Sequence, residues 1–430
     1  MEEITNEAHV LLLPFPVQGH INPMVQFSKR LASRGVKELK VTLVTINTVT
    51  NDMPKESGSI KIECIPHDEG PPRNIDKFLE WFFTFASNNV GAIVEKLSDS
   101  EYPVKVLVFD SIITWAIDLA HQLGLKRAAF LTQSCSVSAI YYHMDPETSK
   151  IPLDGSAVLL PSLPLLEKDD LPSLVCESDL YPNLAGLFFS MKRIFKNADW
   201  LFFNTFDGLE KEVIDWIRTQ YTIKTIGPTI PSMYLDKRLK EDKENGLCLF
   251  KPNGETVLNW LKFKGNWLCS FGLMTSNCYF LWVFRATEEN KLPEEFMSKV
   301  SEKGLIVSWC PQLDVLAHRA VGCFFTHCGW NSTLEALSLG VPMVGMPQWT
   351  DQPTNAKFIS DVWKTGIRVK AGENGVVSRE EIVNSIREVM KEEKGVMLKE
   401  NAIKWKELAK EAVDEGGSSE KNIEEFLSSL

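Results

Sequence analysis

The chain has 430 residues, 44% of them hydrophobic, which is enough for two cores of ordinary size. Its net charge of −11 argues against nucleic acid or an anionic membrane surface as a partner, and no apolar run reaches the ~18 residues of a membrane span. The acidic start MEEITNE lacks a signal peptide's basic region, and the nine cysteines are odd in number with no C-x-x-C pair, so the expected home is a reducing cytosol.

In chain order, residues 9–13 read as a buried strand that runs into Pro14-Phe15-Pro16-Val17-Gln18-Gly19-His20, a two-proline loop feeding the helix INPMVQFSKRLAS. His20 then stands near a helix N-terminus, where the positive end of the dipole favours the neutral ring that a general base needs. Residues 78–85, FLEWFFTF, form an aromatic run suited to helical core packing or to the wall of an apolar pocket. A strand over residues 104–109 places Asp110 at its carboxyl end, ahead of a helix beginning near Thr114. An Asp beside a His fixes its tautomer and stabilises the ring once protonated; a lone Asp before a helix is more often an N-cap. Thr132 follows in FLTQS. The strand-then-break signal Thr225-Ile226-Gly227-Pro228 closes a first α/β domain over residues 1–228. The stretch DKRLKEDKEN then marks a linker, residues 229–248, too charged to be core.

The second half concentrates its signals in three strand-to-helix junctions. Residues 304–309 (GLIVSW) lead to a helix opened by Pro311, residues 321–326 lead to His327-Cys328-Gly329-Trp330-Asn331-Ser332 and a helix ending at Gly340, and residues 341–346 lead to Gln348-Trp349-Thr350-Asp351-Gln352 and a helix running to Gly366. A βαβαβα pattern implies a parallel sheet whose loops emerge at the carboxyl edge, where ligands bind. The helix tip at 327–332 suits an anion such as a pyrophosphate, with no metal needed. Trp309 offers a flat face for a base, stacking worth about 1–3 kcal/mol. Asp351 and Gln352 suit sugar hydroxyls, with Trp349 as an apolar wall. Plainer roles exist for each: Ser332 and Glu335 form the S-x-x-E capping pattern, and a lone tryptophan is more often core. The joint arrangement favours the ligand.

These 44 positions, residues 309–352, resemble the signature box of plant family 1 UDP-glycosyltransferases, with WCPQ at the start, HCGWNS in the middle and DQ at the end. The resemblance implies a GT-B fold, two Rossmann-like α/β domains with parallel sheets facing across a cleft. It implies that Trp309 and Gln312 hold the uracil and Glu335 the ribose, that His327, Asn331 and Ser332 bind the diphosphate with Trp330 among the donor-site residues, and that Trp349, Asp351 and Gln352 bind the sugar, glucose by its terminal Gln. GHINP around His20 is similar to the family's catalytic-histidine motif, with Asp110 its partner and Thr132 where the family has a donor to the sugar. Short stretches, TQSC and PSMYLD, are similar to the subgroup that glucosylates carboxylic acids, phenols and terpenoids. The expected organisation is a UDP-sugar domain over residues 249–405 and final helices over 406–430 that return to the first domain, in a monomer whose partners are a UDP-sugar and a small acceptor. No Asp-x-Asp pair occurs, and no cofactor or metal is expected.

One block departs from the family. Between Trp260 and the strand at Tyr279 the family has a strand, an SFG-S/T loop and a long crossover helix, whereas this chain has only residues 261–278, too few for a strand and a helix. Either residues 268–271 pair antiparallel with the next strand, or residues 267–275 form a remnant helix and one strand is missing. Ser270-Phe271-Gly272 is reminiscent of the family loop, but Leu273 replaces its hydroxyl residue. Two functions follow: inverting transfer of glucose from UDP-glucose to a hydroxyl or carboxyl of a small hydrophobic metabolite, or a truncated relative with weak or no activity. A dehydrogenase lacks support, since no G-x-G-x-x-G follows a strand.

Overall fold

The structure is a computed structural model that describes residues 8–34, 39–46, 56–57, 60–65, 72, 74–98, 100–144, 157–239, 242, 267–268, 278–283, 303–372 and 375–430. Contacts divide the chain into two compact units, Met1–Leu249 together with Glu411–Leu430, and Phe250–Lys410. Among the described residues no helix is long and apolar enough to cross a membrane.

The first unit is built on β1 (Ala8–Leu13), β2 (Leu39–Ile46), β3 (Glu56–Ser57), β4 (Ile60–Ile65), β5 (Val104–Asp110), β6 (Lys126–Leu131), β7 (Trp200–Phe203) and β8 (Ile223–Thr225). They pair in the order β3-β4-β2-β1-β5-β6-β7-β8, all parallel except that β3 runs antiparallel to β4. The helices are α1 (Gln18–Ala32), α2 (Ile75–Ser98), α3 (Ala116–Gln122), α4 (Cys135–His143), α5 (Ser173–Cys176), α6 (Pro182–Phe189), α7 (Met191–Asn197) and α8 (Lys211–Arg218). Every residue of β1, AHVLLL, is buried, as befits a parallel strand covered on both faces. Chain order leaves β1 leftward through β2 and β4, then returns to β5 on its other side. That reversal creates a switch point at the carboxyl ends of β1 and β5, the place where open α/β sheets bind ligands.

The core of this unit is aromatic. Phe27 of α1 packs on Phe130 and Phe202, and Phe202 and Trp200 pack on Phe426 of the helix Ser418–Ser428 at 4.9 and 5.2 Å between centroids. The same helix is fastened by polar bonds, Ser419 Oγ donating to the Gly227 carbonyl at 2.6 Å and Asn422 Nδ2 to that of Thr225 at 2.9 Å. The stretch expected as a solvated linker is in part buried: the carboxylates of Asp236 and Asp242 are almost fully covered. Their burial is tolerated because each is paired, Asp236 with Arg30 and Arg238, Asp242 with Lys29 at 2.8 Å.

The second unit contains β9 (Trp267–Leu268), β10 (Tyr279–Val283), β11 (Gly304–Val307), β12 (Phe324–Thr326), β13 (Met343–Gly345) and β14 (Gly366–Arg368), with α9 (Gln312–Ala317), α10 (Trp330–Leu339), α11 (Gln352–Lys357), α12 (Arg379–Lys391) and α13 (Glu393–Val413). Its described strands form two parallel sheets, β11-β10-β9 and β12-β13-β14, the two halves of a doubly wound order. Both feed one core that includes Phe280, Cys323, Val344, Ile386 and Leu398. Helix α10 stops at Gly340, whose φ of +68° is the left-handed closure that glycine makes without strain.

In its described residues the shortened block takes neither form expected of it. Trp267–Leu268 is a strand, neither helix nor antiparallel partner, and it pairs parallel with β10 through Trp267↔Tyr279 and Leu268↔Phe280. A crossover of a dozen or more residues is needed to return along a strand of ordinary length. A two-residue strand has to be retraced by only about 7 Å, at ~3.3 Å per residue. Ser270-Phe271-Gly272 and Leu273 lie outside the described residues.

Phe426 is fully buried between Trp200 and Phe202. Phe426→Ala is expected to lower the stability of the first unit by about 3–5 kcal/mol, read from the urea midpoint; a change under about 1 kcal/mol contradicts this docking.

Candidate active site

Three neighbouring strands of the first unit deliver three side chains to one point. After β1 the chain turns into α1, which begins at Gln18, three residues before the expected start, so His20 lies in its first turn. Its backbone N–H bonds the Val17 carbonyl at 2.9 Å. Asp110 is the last residue of β5 and is 0% exposed, whereas the His20 side chain is 24% exposed. His20 Nδ1 stands 2.6 Å from Asp110 Oδ2. Asp110 Oδ1 accepts from the backbone N–H of Ile112 at 3.2 Å, so the carboxylate is oriented from both sides and serves the histidine rather than capping α3. Thr132, just past β6, brings its Oγ1 to 3.1 Å from the same Nδ1.

Two features surround this trio, and the first has no signal in the sequence. Glu210, buried, accepts from the N–H groups of Cys135 at 3.1 Å and Ser136 at 2.8 Å and from the Ser136 hydroxyl, a carboxylate set on the N-terminus of α4. Burial pushes its carboxyl up, and the bonds from Ser136 and Cys135 only partly offset this. It anchors the turn that follows Thr132. Phe15 meets the His20 ring edge-on at 5.5 Å and itself packs on Phe78 and Phe82. Phe82 is buried core, while Phe78 is half-buried, so the aromatic run of α2 serves both as packing and as an apolar wall beside the histidine.

In the second unit the residues gather in two groups. Gln312, first residue of α9, donates through Nε2 to Glu335 Oε2 at 2.7 Å and to Ser332 Oγ at 3.1 Å. The capping-box alternative for Ser332 and Glu335 is set aside, because α10 is capped by Gly329 and Ser332 lies within its first turn. Gly329 has no side chain to cover the first-turn N–H groups, which lack intrahelical acceptors in any α-helix. Asn331 and Ser332 are half-buried there, and Trp309 is half-buried in the loop after β11. The Trp330 side chain is almost fully buried, 6.1 Å from the Trp363 ring, because its helix position turns inward.

The second group joins the loops after β12 and β13. His327 is exposed, and its Nε2 occupies the space a side chain at Gly329 would need, 2.5 Å from an added Cβ. Cys328 adopts φ +65° and Thr350 φ +54°, both left-handed without being glycine. Asp351 caps α11 in position only; its carboxylate accepts from Thr350 Oγ1 at 2.9 Å and Asn355 Nδ2 at 2.7 Å. Burial pushes the Asp351 carboxyl up, against the pull of these bonds and of nearby His327. Gln352 turns its Oε1 back to accept from the N–H groups of Gln348 at 2.8 Å and Trp349 at 2.9 Å. With its oxygen so engaged, the Gln352 amide can serve a ligand only as an N–H donor, beside an acceptor in Asp351. Such a donor–acceptor pair matches adjacent hydroxyls.

Burial pushes the Cys328 thiol up to about 12, leaving about one in 10⁴ as thiolate at pH 8. Iodoacetamide at pH 8 is expected to reach Cys328 only after unfolding in urea. Peptide mass mapping checks this, and fast labelling in the folded protein contradicts it.

The family model described as UDP-glucoronosyl and UDP-glucosyl transferase matches residues 242–413. UDP-glycosyltransferase 74E2 of Arabidopsis thaliana is 47% identical over 449 residues, covering 98% of each chain. That alignment is longer than the 430 residues here, so the relative carries residues that this chain lacks. Mogroside I-E synthase of Siraitia grosvenorii is 46% identical, covering 99% of this chain and 98% of its own. Among solved structures, Os79 from O. sativa in complex with UDP matches with a TM-score of 0.90 at 35% identity, covering 98% of this chain and 99% of the other. Agreement in sequence and fold along nearly the whole length, together with the signature segment, shows that this chain is a glycosyltransferase of the GT-B fold and belongs to plant family 1 of the UDP-glycosyltransferases.

Proposed function

We propose that the enzyme transfers glucose from UDP-glucose, with inversion at the anomeric carbon, to a hydroxyl or carboxyl group of a small hydrophobic metabolite. The observation that carries this reading is the 2.6 Å contact between His20 Nδ1 and the fully buried Asp110. With the Nδ1 proton donated to Asp110, the neutral ring has its basic lone pair on Nε2, the atom that takes the acceptor proton as its oxygen attacks. Asp110 then stabilises the imidazolium. The leaving UDP is met by the N–H groups at the tip of α10. Trp309 and Gln312 hold the base, Glu335 the ribose, His327, Asn331 and Ser332 the diphosphate, and Trp349, Asp351 and Gln352 the hexose, with Thr132 close to it. No metal or cofactor enters this scheme.

The Phe15 and Phe78 rings beside His20 support an apolar acceptor. The seven described cysteines are all free thiols, which suits a reducing compartment such as the cytosol. The short connection over residues 269–278 favours a second reading, a chain that keeps the fold but holds UDP weakly and transfers little. Isothermal titration with UDP separates the two: no heat of binding at millimolar UDP eliminates the first.

The acceptor's acidity sets how much the histidine contributes. Moving a proton from a phenol near pKa 10 to an imidazole near 6.5 is uphill by about 5 kcal/mol, so it has to move in concert with attack, whereas a carboxylic acid is already ionised at pH 7. His20→Ala is expected to cost about 10²–10⁴-fold in kcat/KM with a phenol and under about tenfold with a carboxylic acid. Asp110→Asn, which reverses the tautomer, is expected to cost at least about 10²-fold with the phenol. Steady-state rates with a matched phenol and acid, products read by mass for a hexose gain, check both; equal losses of His20→Ala on the two acceptors overturn the base assignment.

A further inference from the structure

The side chain of Asn355 lies in α11, buried, on the inner side of both loops of the second group. Its Nδ2 makes two hydrogen bonds, one to the Cys328 carbonyl at 2.9 Å and one to Asp351 Oδ2 at 2.7 Å. A planar NH₂ carries two protons about 120° apart, and here both are engaged, each on a different loop. Each loop also contains a left-handed residue that is not glycine, Cys328 and Thr350. Such a conformation costs about 1–3 kcal/mol and persists only where the surroundings hold it. On the first loop the Cys328 sulfur fills the space over Gly345, 2.7 Å from where a Cβ would stand, and Asn355 fastens the carbonyl of the same residue. On the second, Asn355 and Thr350 between them occupy one lone pair on each carboxylate oxygen of Asp351.

We propose that Asn355 is a positioning residue for the donor sugar: one buried amide ties the backbone of the loop at the tip of α10 to the carboxylate of Asp351, so that the diphosphate-facing and hexose-facing loops hold a single geometry. This rests on the reading of Asp351 as a sugar-binding residue. The amide is the side chain suited to the role. Asp has the same shape but no proton for either acceptor, and Leu or Ala leaves both buried oxygens short of a donor.

The test uses the full chain as wild type, Asn355→Ala, Asn355→Asp and Asp351→Ala, and the double variant Asp351→Ala/Asn355→Ala. The first readout is independent of catalysis: iodoacetamide labelling of Cys328, with the buried Cys323 of the same unit as the control for general unfolding. Both Asn355 variants are expected to raise Cys328 labelling about tenfold or more while Cys323 is unchanged. The second readout is the ratio of the KM for UDP-glucose to the Kd for UDP, expected to rise about tenfold in both Asn355 variants, in the range of a small misplacement of a reacting group. With Asp351 already replaced by Ala, adding Asn355→Ala is expected to leave that ratio where it is. Equal labelling of Cys323 and Cys328, an unchanged ratio, or the same rise with Asp351 removed each overturns the positioning role alone. A wild type that binds no UDP overturns the functional reading and this role with it.

Discussion

Parallel pairing constrains where a chain can place its loops, and in the first unit that constraint does most of the assembly. β1, β5 and β6 are adjacent, with Leu13 opposite Phe109 and Asp110 opposite Phe130. Their carboxyl ends are therefore neighbours, and the residues just beyond them, His20, Asp110 and Thr132, converge although they are 90 and 112 positions from the histidine in sequence. The imidazole needs no flexible arm. A strand that is fully buried and a helix that starts within a few residues fix the imidazole, and a carboxylate with no exposure fixes its tautomer.

The second unit solves a similar problem with less regular backbone. Its strands β12, β13 and β14 are three residues each, so the loops that follow them carry more of the geometry. Two of those loops contain left-handed residues, and what steadies them is a set of polar bonds from α11, together with Thr326 at the end of β12, which accepts from the Cys328 N–H. Gln312, Ser332 and Glu335 form a comparable tie between α9 and α10. Helix starts thus act here as frames for the loops that precede them.

Much of this was legible in the residues themselves. The alternation of apolar runs with Pro and Gly located the strands and junctions, and the histidine, the strand-end aspartate and the 44-position segment pointed to the chemistry before any contact was known. What was not legible has identifiable physical causes. Glu210 has no local signal, because its partners Cys135 and Ser136 are about 75 positions away. Asn355 did have one, its i,i+4 spacing from Asp351 on a helix, but its second bond to Cys328 depends on sheet order. Trp330 belongs to a binding motif by position, yet helical phase turns it into the core. The charges at Asp236 and Asp242 suggested solvent until their partners were seen. Crossover length limits a parallel connection only for strands of ordinary length, and β9 has two residues.

The way the first unit closes has a further consequence for biogenesis. Its core is discontinuous: the second unit, Phe250–Lys410, is inserted between β8 and the helix that brings Phe426 and Ile423 against Phe202 and Trp200. During vectorial synthesis the residues completing the earlier hydrophobic centre emerge from the ribosome after an entire independent module. The nascent first module must wait with an uncovered aromatic face, a long-range closure of the kind that slows folding and invites chaperone engagement.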